Sequence, residues 1–260
     1  MSSLMPVLFV GHGSPMNALG GNLYARNLQE ISSKIPTPKN ILVISAHWNS
    51  DDFQIYAPNK TSLIYDFYGF PEELYKLKYE AHGSLELSKR ISDLLKDKKP
   101  ILNTERGLDH GAWAVLLHLF PHSQIPVAQL SLNQNLTLKE HYEIGKMLAP
   151  LRDEGTLIVS SGNITHNLYQ ISWDKNPQPF DWAIKFDEHI SKAIRNWDEE
   201  SFLGLSDCPF EIWKKAHPTI EHYVPLLYAL GASYKEKVHF FNEEIQNGSM
   251  SMKSLILGDY

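Results

Sequence analysis

Short β-branched and aromatic runs alternate with amphipathic stretches, and this alternation constrains the fold more than any other feature of the sequence. Strands are predicted over residues 7–10, 41–45, 53–57, 127–132, 157–160, 238–241 and 254–257. Helices are predicted over residues 84–95, 112–120, 138–151 and 182–197, where apolar residues recur at helical spacing. Strands that alternate with helices favour an α/β fold, with a central, mostly parallel or mixed sheet and helices on both faces.

A further helix is predicted towards the carboxyl end of the sequence. Thr219 can cap its start, the helix would run to about Leu230, and Gly231 follows where a helix-terminating glycine is expected. His222 would then lie in the first turn, where the positive end of the helix dipole lowers the pKa of a histidine.

Length and composition predict one domain. The chain has 260 residues, 43% of them hydrophobic, and no linker-like segment divides it, so we expect a single domain over residues 1–260. No stretch approaches the roughly 18 apolar residues that a membrane span needs. No basic segment precedes the first apolar run, as it would in a secretory signal. We therefore expect a soluble, cytoplasmic protein that has no membrane partner.

Charge and cysteine content exclude other classes. The net charge is −6 and basic residues form no extended cluster, so nucleic acid is not an expected partner. The one cysteine, Cys208, excludes an internal disulfide framework and a zinc module built from several cysteines. We expect Cys208 to be a half-buried, unreactive residue.

Four histidines stand where strands are predicted to end or a helix to begin. His12, His47 and His166 each come after an apolar run, and His222 lies at the predicted start of the last helix. In an open α/β sheet, the crevice at the carboxyl ends of the strands is where ligands bind, and neutral imidazole is a common metal ligand. Their shared position favours a metal site, although each histidine alone could be a polar loop residue.

A fifth histidine, His110, comes just before the helix predicted over residues 112–120. An unperturbed imidazole titrates near pH ~6.5, so His110 could donate or accept a proton at neutral pH. The alternative is a structural role, in which His110 caps the helix together with Asp109.

Other catalytic signatures are absent from the sequence. It contains no Gly-x-Ser-x-Gly elbow, and no phosphate-binding loop, Gly-x-Gly-x-x-Gly motif or His-Glu-x-x-His motif. Nucleotide use is therefore unsupported. Aromatic residues are dense over residues 65–71. They predict either a loop that covers an aromatic substrate or, more commonly, side chains that fill the core.

Six ordered motifs carry a family resemblance. They are Gly11-His-Gly-Ser-Pro-Met, Ser45-Ala-His-Trp, Asp66-Phe-Tyr-Gly-Phe-Pro, Asp109-His-Gly-Ala-Trp, Ser161-Gly-Asn-Ile-Thr-His-Asn-Leu and Glu221-His-Tyr-Val-Pro-Leu-Leu-Tyr. In this order they resemble the class III extradiol ring-cleavage dioxygenases of the LigB-type superfamily, and most nearly the DOPA 4,5-dioxygenase-like branch. The match extends from about Val7 to Ile256. The resemblance implies one extradiol-dioxygenase-like catalytic domain.

The resemblance also implies roles for the histidines. His12, His47 and His222 would bind one divalent metal ion. His166 would be either a fourth close ligand or a base beside the metal ligands. His110 would be the acid/base that faces the substrate and dioxygen.

The third metal ligand departs from the pattern of many class III members, whose sites resemble two histidines and one carboxylate. Here His222 stands at that position, with Glu221 beside it. Successive helical residues point about 100° apart, so both cannot face one metal in the same way. We predict His222 as the third ligand, with Glu221 as the alternative. An all-histidine set suits both zinc and iron, so the expected cofactor is one divalent ion, Zn²⁺ or Fe²⁺.

The implied reaction inserts O₂ into a DOPA-like catechol by 4,5-cleavage and gives a muconic semialdehyde. Fe²⁺ is expected for this turnover, because zinc cannot change its oxidation state. Two alternatives stay open: a zinc-dependent hydrolase that uses the same histidines, and a non-catalytic binding homologue that keeps the fold. The sequence identifies neither substrate-binding residues nor an oligomeric state.

Overall fold

A mixed sheet is the scaffold of the molecule. The computed structural model describes residues 4–57, 62–122, 124–174, 177–206 and 208–260. The strands in these ranges are β1 (Val7–Gly11), β2 (Asn40–Ser50), β3 (Gln54–Tyr56), β4 (Ile101–Asn103), β5 (Val127–Asn133), β6 (Thr156–Gly162), β7 (Val238–Phe241), β8 (Ile245–Gln246), β9 (Met250–Ser251) and β10 (Ser254–Leu257). Eight of them form one sheet in the order β4-β3-β5-β2-β6-β1-β10-β7, and β8 pairs separately with β9.

The centre of the sheet is parallel, which decides where a site can form. β5, β2, β6 and β1 are paired in parallel. β10 and β7 run antiparallel on one side, and β3 pairs antiparallel with β5 on the other. The parallel strands bring their carboxyl ends to one edge, where ligands bind in open α/β sheets. The predicted α/β class with a mixed sheet is confirmed.

Helices cover both faces of the sheet, as predicted. They are α1 (Leu23–Lys34), α2 (Glu72–Tyr75), α3 (Leu85–Leu94), α4 (His110–Leu119), α5 (Leu138–Leu148), α6 (Asp181–Asn196), α7 (Glu199–Phe202), α8 (Phe210–Ala216) and α9 (Val224–Ala232). α1 and α4 pack on one face, and α5 and α9 pack on the other.

Successive residues on the central strands serve the two faces in turn. On β1, Leu8 belongs to the core that includes Leu116 of α4, whereas the next residue, Phe9, belongs to the core that includes Leu227 of α9. All four side chains are fully buried. Burial of each stabilises the fold by roughly 1.5–3 kcal/mol, and the two cores hold the central strands between the helical layers.

The predicted strands are all present, but some elements were missed or bounded wrongly. β4 and the β8–β9 pair were not predicted, because runs of two or three residues carry too little periodicity. β2 continues past the predicted end at residue 45 as far as Ser50. α1 was also missed, although Asn22 caps it by accepting a hydrogen bond from the N–H of Ala25.

The last helix does not begin at Thr219, so that prediction is wrong. α9 starts at Val224, and the Thr219 hydroxyl donates to the Glu221 carboxylate instead of capping a helix. A helix from Thr219 would place Pro225 in its interior, where the ring clashes with the carbonyl four residues earlier. In α9 itself Pro225 is in the first turn, where its missing N–H costs nothing. His222 therefore lies before the helix.

Gly231 does not terminate α9 either, because the helix continues to Ala232. A Cβ atom at Gly231 would collide with the main-chain carbonyl of Tyr142 in α5. The glycine is needed for the close approach of two helices. Its sequence position near a helix end concealed this packing role.

Cys208 was expected to be half-buried and unreactive. Cys208 is half-buried, and burial raises the pKa of its thiol. The thiol is therefore protonated at neutral pH and a poor nucleophile.

Within the described ranges, no helix has the length and apolar character to cross a membrane.

Candidate active site

The five histidines predicted for the site line one cavity. Its volume is about 430 Å³, which lies within the ~300–1,000 Å³ typical of small-molecule sites. One side, named here the histidine wall, consists of His12, His47, His110, His166 and His222. The structure thus brings together residues from distant parts of the sequence.

His12 directly follows β1 and is fixed by the end of β6. Its main-chain N–H donates to the carbonyl of Gly162 over 3.1 Å. Its ring Nδ1 lies 2.9 Å from the hydroxyl oxygen of Ser161. Because both contacts are to the neighbouring parallel strand, the direction of the imidazole is set by the sheet itself.

His47 lies within β2, so the prediction that it ends the strand is wrong. The pairing of β2 with β5 shifts register between Ile44 and Asn49. Such an irregularity re-aims side chains and is common beside active sites. Here the Nε2 atom of His47 faces the Nε2 atom of His12 at 3.0 Å.

His222 lies in the turn before α9, with its ring held by the preceding residue. Its Nδ1 is 2.9 Å from Oε1 of Glu221, whereas its buried Nε2 has no hydrogen-bond partner among the described residues. Its main-chain carbonyl accepts from the N–H of Asn163 over 2.8 Å. A Cβ atom at Gly162 would collide with this carbonyl, so the last residue of β6 has to be glycine for His222 to fit.

His166 stacks on His222, with ring centroids 3.5 Å apart and planes inclined by 6°. Its main-chain N–H donates to the carbonyl of Ala216 over 2.9 Å. His217 adds support, since its Nε2 lies 2.8 Å from the carbonyl of Ile164 in the same loop. Two adjoining turns therefore carry the pair His166 and His222.

His12, His166 and His222 of the histidine wall are held in the neutral form. Burial lowers the pKa of His12 and of His222 well below the usual value, and the neighbouring histidines lower both further. Burial and then His47 lower the pKa of His166 to about 4. Neutral imidazole is the form that binds a metal ion, because its second nitrogen keeps a free lone pair.

A divalent ion fits among His12, His47 and His222. One ring nitrogen from each lies within 4.8 Å of the others, and imidazole ligands suit zinc or iron. Carboxylates lie beside Nδ1 of His47 and of His222 and favour a proton on that nitrogen. The lone pair on Nε2 of each ring is then available to bind a metal ion.

Two overlapping groups could also hold an ion: His47 with Asp66 and His110, and His166 with Glu221 and His222. In the second group, Glu221 already faces Nδ1 of His222. That contact suits a carboxylate that orients a ligand. The choice of His222 over Glu221 stays a prediction.

His110 is the first residue of α4, two residues before the predicted start. The cap is Asp109, whose Oδ1 accepts from the N–H of Ala112 over 3.2 Å. Asp109 is fully buried and also accepts from Ser45 and Gln129, each over 2.6 Å. This anchor fixes the start of α4 against the sheet and turns the His110 ring to the cavity. The helix-cap role considered for His110 belongs to Asp109.

Asp66 is a site residue that the sequence interpretation missed. Its carboxylate lies 3.0 Å from Nδ1 of His110 and 3.2 Å from Nδ1 of His47, and it accepts from the main-chain N–H of His110 over 2.9 Å. Burial alone would raise the pKa of Asp66, but contacts with the two histidines outweigh it and lower the pKa well below its usual range. The one available signal was its place at the head of an aromatic motif.

Burial, then His47, lowers the pKa of His110, although Asp66 opposes the shift. His110 is therefore neutral at pH 7. Its Nδ1 has no well-aligned hydrogen-bond partner among the described residues, so its contact with Asp66 is mainly electrostatic.

Another part of the cavity lining is aromatic. It is named here the aromatic wall and consists of Phe67, Tyr68, Phe70 and Trp173. Tyr68 is 92% exposed and Trp173 is 83% exposed, whereas Phe67 meets His110 edge-on at 5.5 Å. Within the segment 65–71, Tyr65, Phe67 and Phe70 pack against the core, and Phe67, Tyr68 and Phe70 also line the cavity. That the segment covers an aromatic substrate stays a prediction.

Comparison with known proteins agrees with this geometry. The family described as the catalytic LigB subunit of aromatic ring-opening dioxygenase matches residues 9–257. The 4,5-DOPA dioxygenase extradiol of Escherichia coli K12 is 41% identical, over 99% of this chain and 96% of that protein. The protein of the same name from Beta vulgaris is 38% identical, over 97% and 96%. A crystal structure of an uncharacterized protein from Escherichia coli K12 aligns with a TM-score of 0.85 at 37% identity, over 98% of this chain and all of that one.

Fold, site and relatives together define an aromatic ring-opening dioxygenase of the extradiol type. Dioxygenases of this kind depend on a metal, and the histidine wall offers one a place. The chain belongs to the LigB family.

Proposed function

We propose that the chain opens the ring of a DOPA-like catechol between C4 and C5 with O₂ and gives a muconic semialdehyde, as one catalytic domain over residues 1–260. The observation that carries the proposal is the cavity in which three convergent histidine nitrogens and His110 lie beside an aromatic wall. The names of the relatives support a catechol substrate.

The cytoplasmic location stays a prediction.

The proposed metal ligands are His12, His47 and His222, with His166 as a fourth close ligand or a base. When bound, Fe²⁺ would supply the electron relay between a closed-shell catechol and dioxygen, which zinc cannot supply. Three imidazole ligands would not offset the charge of the metal ion, as a carboxylate ligand would. The bound ion would therefore attract the deprotonated catechol oxygens.

The proposed proton transfers use the two remaining histidines. His166 is neutral because burial and then His47 lower its pKa, so one ring nitrogen has a lone pair that could accept a proton from the catechol when the substrate binds. His110 is buried and neutral within the same histidine wall. It would hold and return a proton at Nε2 as the ring is attacked and the oxygen–oxygen bond breaks.

The aromatic wall would bind the ring and exclude water. Phe67 lies against His110, so a substrate ring that packs on Phe67 from the cavity would be placed next to the acid/base. Aromatic rings attract one another by about 0.5–1.5 kcal/mol beyond the area they bury. Tyr68 and Trp173 stand at the exposed end of the cavity, where a ring substituent would emerge.

The test is to load metal-free protein with either Fe²⁺ or Zn²⁺ and follow catechol and DOPA with an oxygen electrode and a spectrophotometer. The Fe²⁺ protein is expected to consume O₂ and give a yellow ring-opened product, and the zinc protein to bind catechol without consuming O₂. Equal aerobic cleavage by iron-free zinc protein would contradict the proposed mechanism. Anaerobic ester or amide hydrolysis would favour the hydrolase, and absence of any turnover would favour a binding protein.

A further inference from the structure

Asp66 stands between two histidines to which different roles are assigned. His47 is a proposed metal ligand, and His110 is the proposed acid/base. The Asp66 carboxylate offers one oxygen to each: Oδ2 lies 3.2 Å from Nδ1 of His47, and Oδ1 lies 3.0 Å from Nδ1 of His110. The other two proposed ligands have partners of their own, because Ser161 faces His12 and Glu221 faces His222.

A neutral imidazole carries its proton on one of two nitrogens, and the neighbour of each nitrogen decides which. An ionised carboxylate is an acceptor only. At about 3 Å it attracts an N–H and repels a nitrogen lone pair. Asp66 therefore favours the form with the proton on Nδ1 in both His47 and His110, and each Nε2 keeps its lone pair.

The main chain holds Asp66 in this position. The His110 main-chain N–H donates to the same Oδ1 over 2.9 Å, and it is the first N–H of α4, which has no partner inside the helix. The Asp66 side chain is 23% exposed, against 20% for His47 and 6% for His110. Water therefore screens these contacts only in part.

We propose that Asp66 is a positioning residue that sets the tautomers of His47 and His110 together. One carboxylate would prepare a metal-binding lone pair on one histidine and a proton-accepting lone pair on the other. The inference rests on the proposed function for the two roles, but the tautomers themselves can be measured without turnover.

The critical variant is Asp66→Asn, which keeps the shape of the side chain and replaces one acceptor oxygen with an N–H donor. The amide can present its oxygen to only one of the two Nδ1–H groups. At least one of His47 and His110 is then expected to move its proton to Nε2. Glu221→Gln is the matched control, because it makes the same chemical change beside His222 alone and leaves His47 and His110 as they are.

Long-range ¹H–¹⁵N NMR of the metal-free protein reads the tautomers directly. The wild type should show His47 and His110 protonated on Nδ1, and Asp66→Asn should show at least one of them protonated on Nε2. A wild-type protein with the proton on Nε2 of either histidine overturns the inference without any variant. Unchanged tautomers in folded Asp66→Asn overturn it too.

Zinc affinity supplies a second readout. Partners that orient a ligand typically change metal affinity by about 10–100-fold. If His47 is the histidine that changes, Asp66→Asn should weaken zinc binding by this factor in a chelator competition; if His110 changes, affinity should hold while NMR shows Nε2–H there. A loss of affinity with both tautomers unchanged would count against the inference. If the wild type shows the expected tautomers but the Fe²⁺-loaded protein takes up no oxygen, the proposed function is contradicted and the inference about Asp66 stands.

Discussion

The two walls of the cavity are built in opposite ways. The histidine wall comes from the sheet, from the start of α4 and from turns packed on the sheet, and His12, His110 and His222 are each no more than 6% exposed. The aromatic wall comes from loops, and its outer members, Tyr68 and Trp173, are almost entirely exposed. The difference separates chemistry, which needs fixed atoms, from recognition, which tolerates adjustment.

The physical basis of this division is the number of constraints on each side chain. His12 is held through its main chain and its ring to one neighbouring strand. Tyr68 and Trp173 have little packing to hold them, so binding a substrate would order them at an entropic cost. Substitutions should therefore have large effects on the histidine wall and small effects on the aromatic wall.

The largest effect is expected from His12→Ala or His47→Ala. A three-ligand site has little redundancy, so either change should leave the protein largely without metal after dialysis. Elemental analysis of folded protein is the measurement. Full metal occupancy in either variant would show that these residues are not ligands and would weaken the contrast between the walls.

A second comparison is made within the histidine wall. His222→Ala should lose the metal, whereas Glu221→Gln should keep it, because the glutamine oxygen can still accept from Nδ1 of His222. Elemental analysis again decides the result. The reverse pattern would restore a site of two histidines and one carboxylate, with Glu221 as ligand.

His110→Ala should retain the metal and substrate but slow turnover by roughly 10²–10⁴-fold, the usual contribution of a positioned acid/base. Because Asp109 caps α4, the melting temperature should change little. Turnover numbers on Fe²⁺-loaded protein, measured beside thermal melts, test both statements. A lower melting temperature with near-normal turnover would assign His110 to the structure alone.

The smallest effect is expected on the aromatic wall. Tyr68→Ala and Trp173→Ala each remove about 0.5–1.5 kcal/mol of ring contact, so KM for a substituted catechol should rise about 2- to 10-fold with kcat nearly unchanged. Tyr169→Ala is the control, because Tyr169 is 87% exposed and is not among the residues that line the cavity. Equal effects in all three variants would show that the wall does not contact substrate.

Sequence periodicity predicted the part of the site that belongs to the sheet. A strand end is a local signal, so the apolar runs alone predicted that His12 and His166 follow strands. His47 was predicted with the wrong strand end, since a register shift between two strands leaves no mark in either sequence. His222 was predicted through a helix start that Pro225 forbids.

The rest of the site depends on contacts between segments far apart in the chain. Asp66 reaches His47 and His110, and no spacing rule joins these three positions. Trp173 lies in a loop without periodicity, so its place on the cavity could not be anticipated. The role of Gly231 was hidden for the same reason, because it depends on where α5 lies.

Gly162 contributes no side chain to the reaction, yet the absence of a side chain leaves room for the main-chain carbonyl of His222. In a saturation mutagenesis screen for ring-opening activity, this position should tolerate substitution as poorly as the histidines do. A larger residue would push the turn outward and displace His222 while every histidine remained in the sequence. Loss-of-function variants in this enzyme should therefore include ones in which all the proposed ligands are intact.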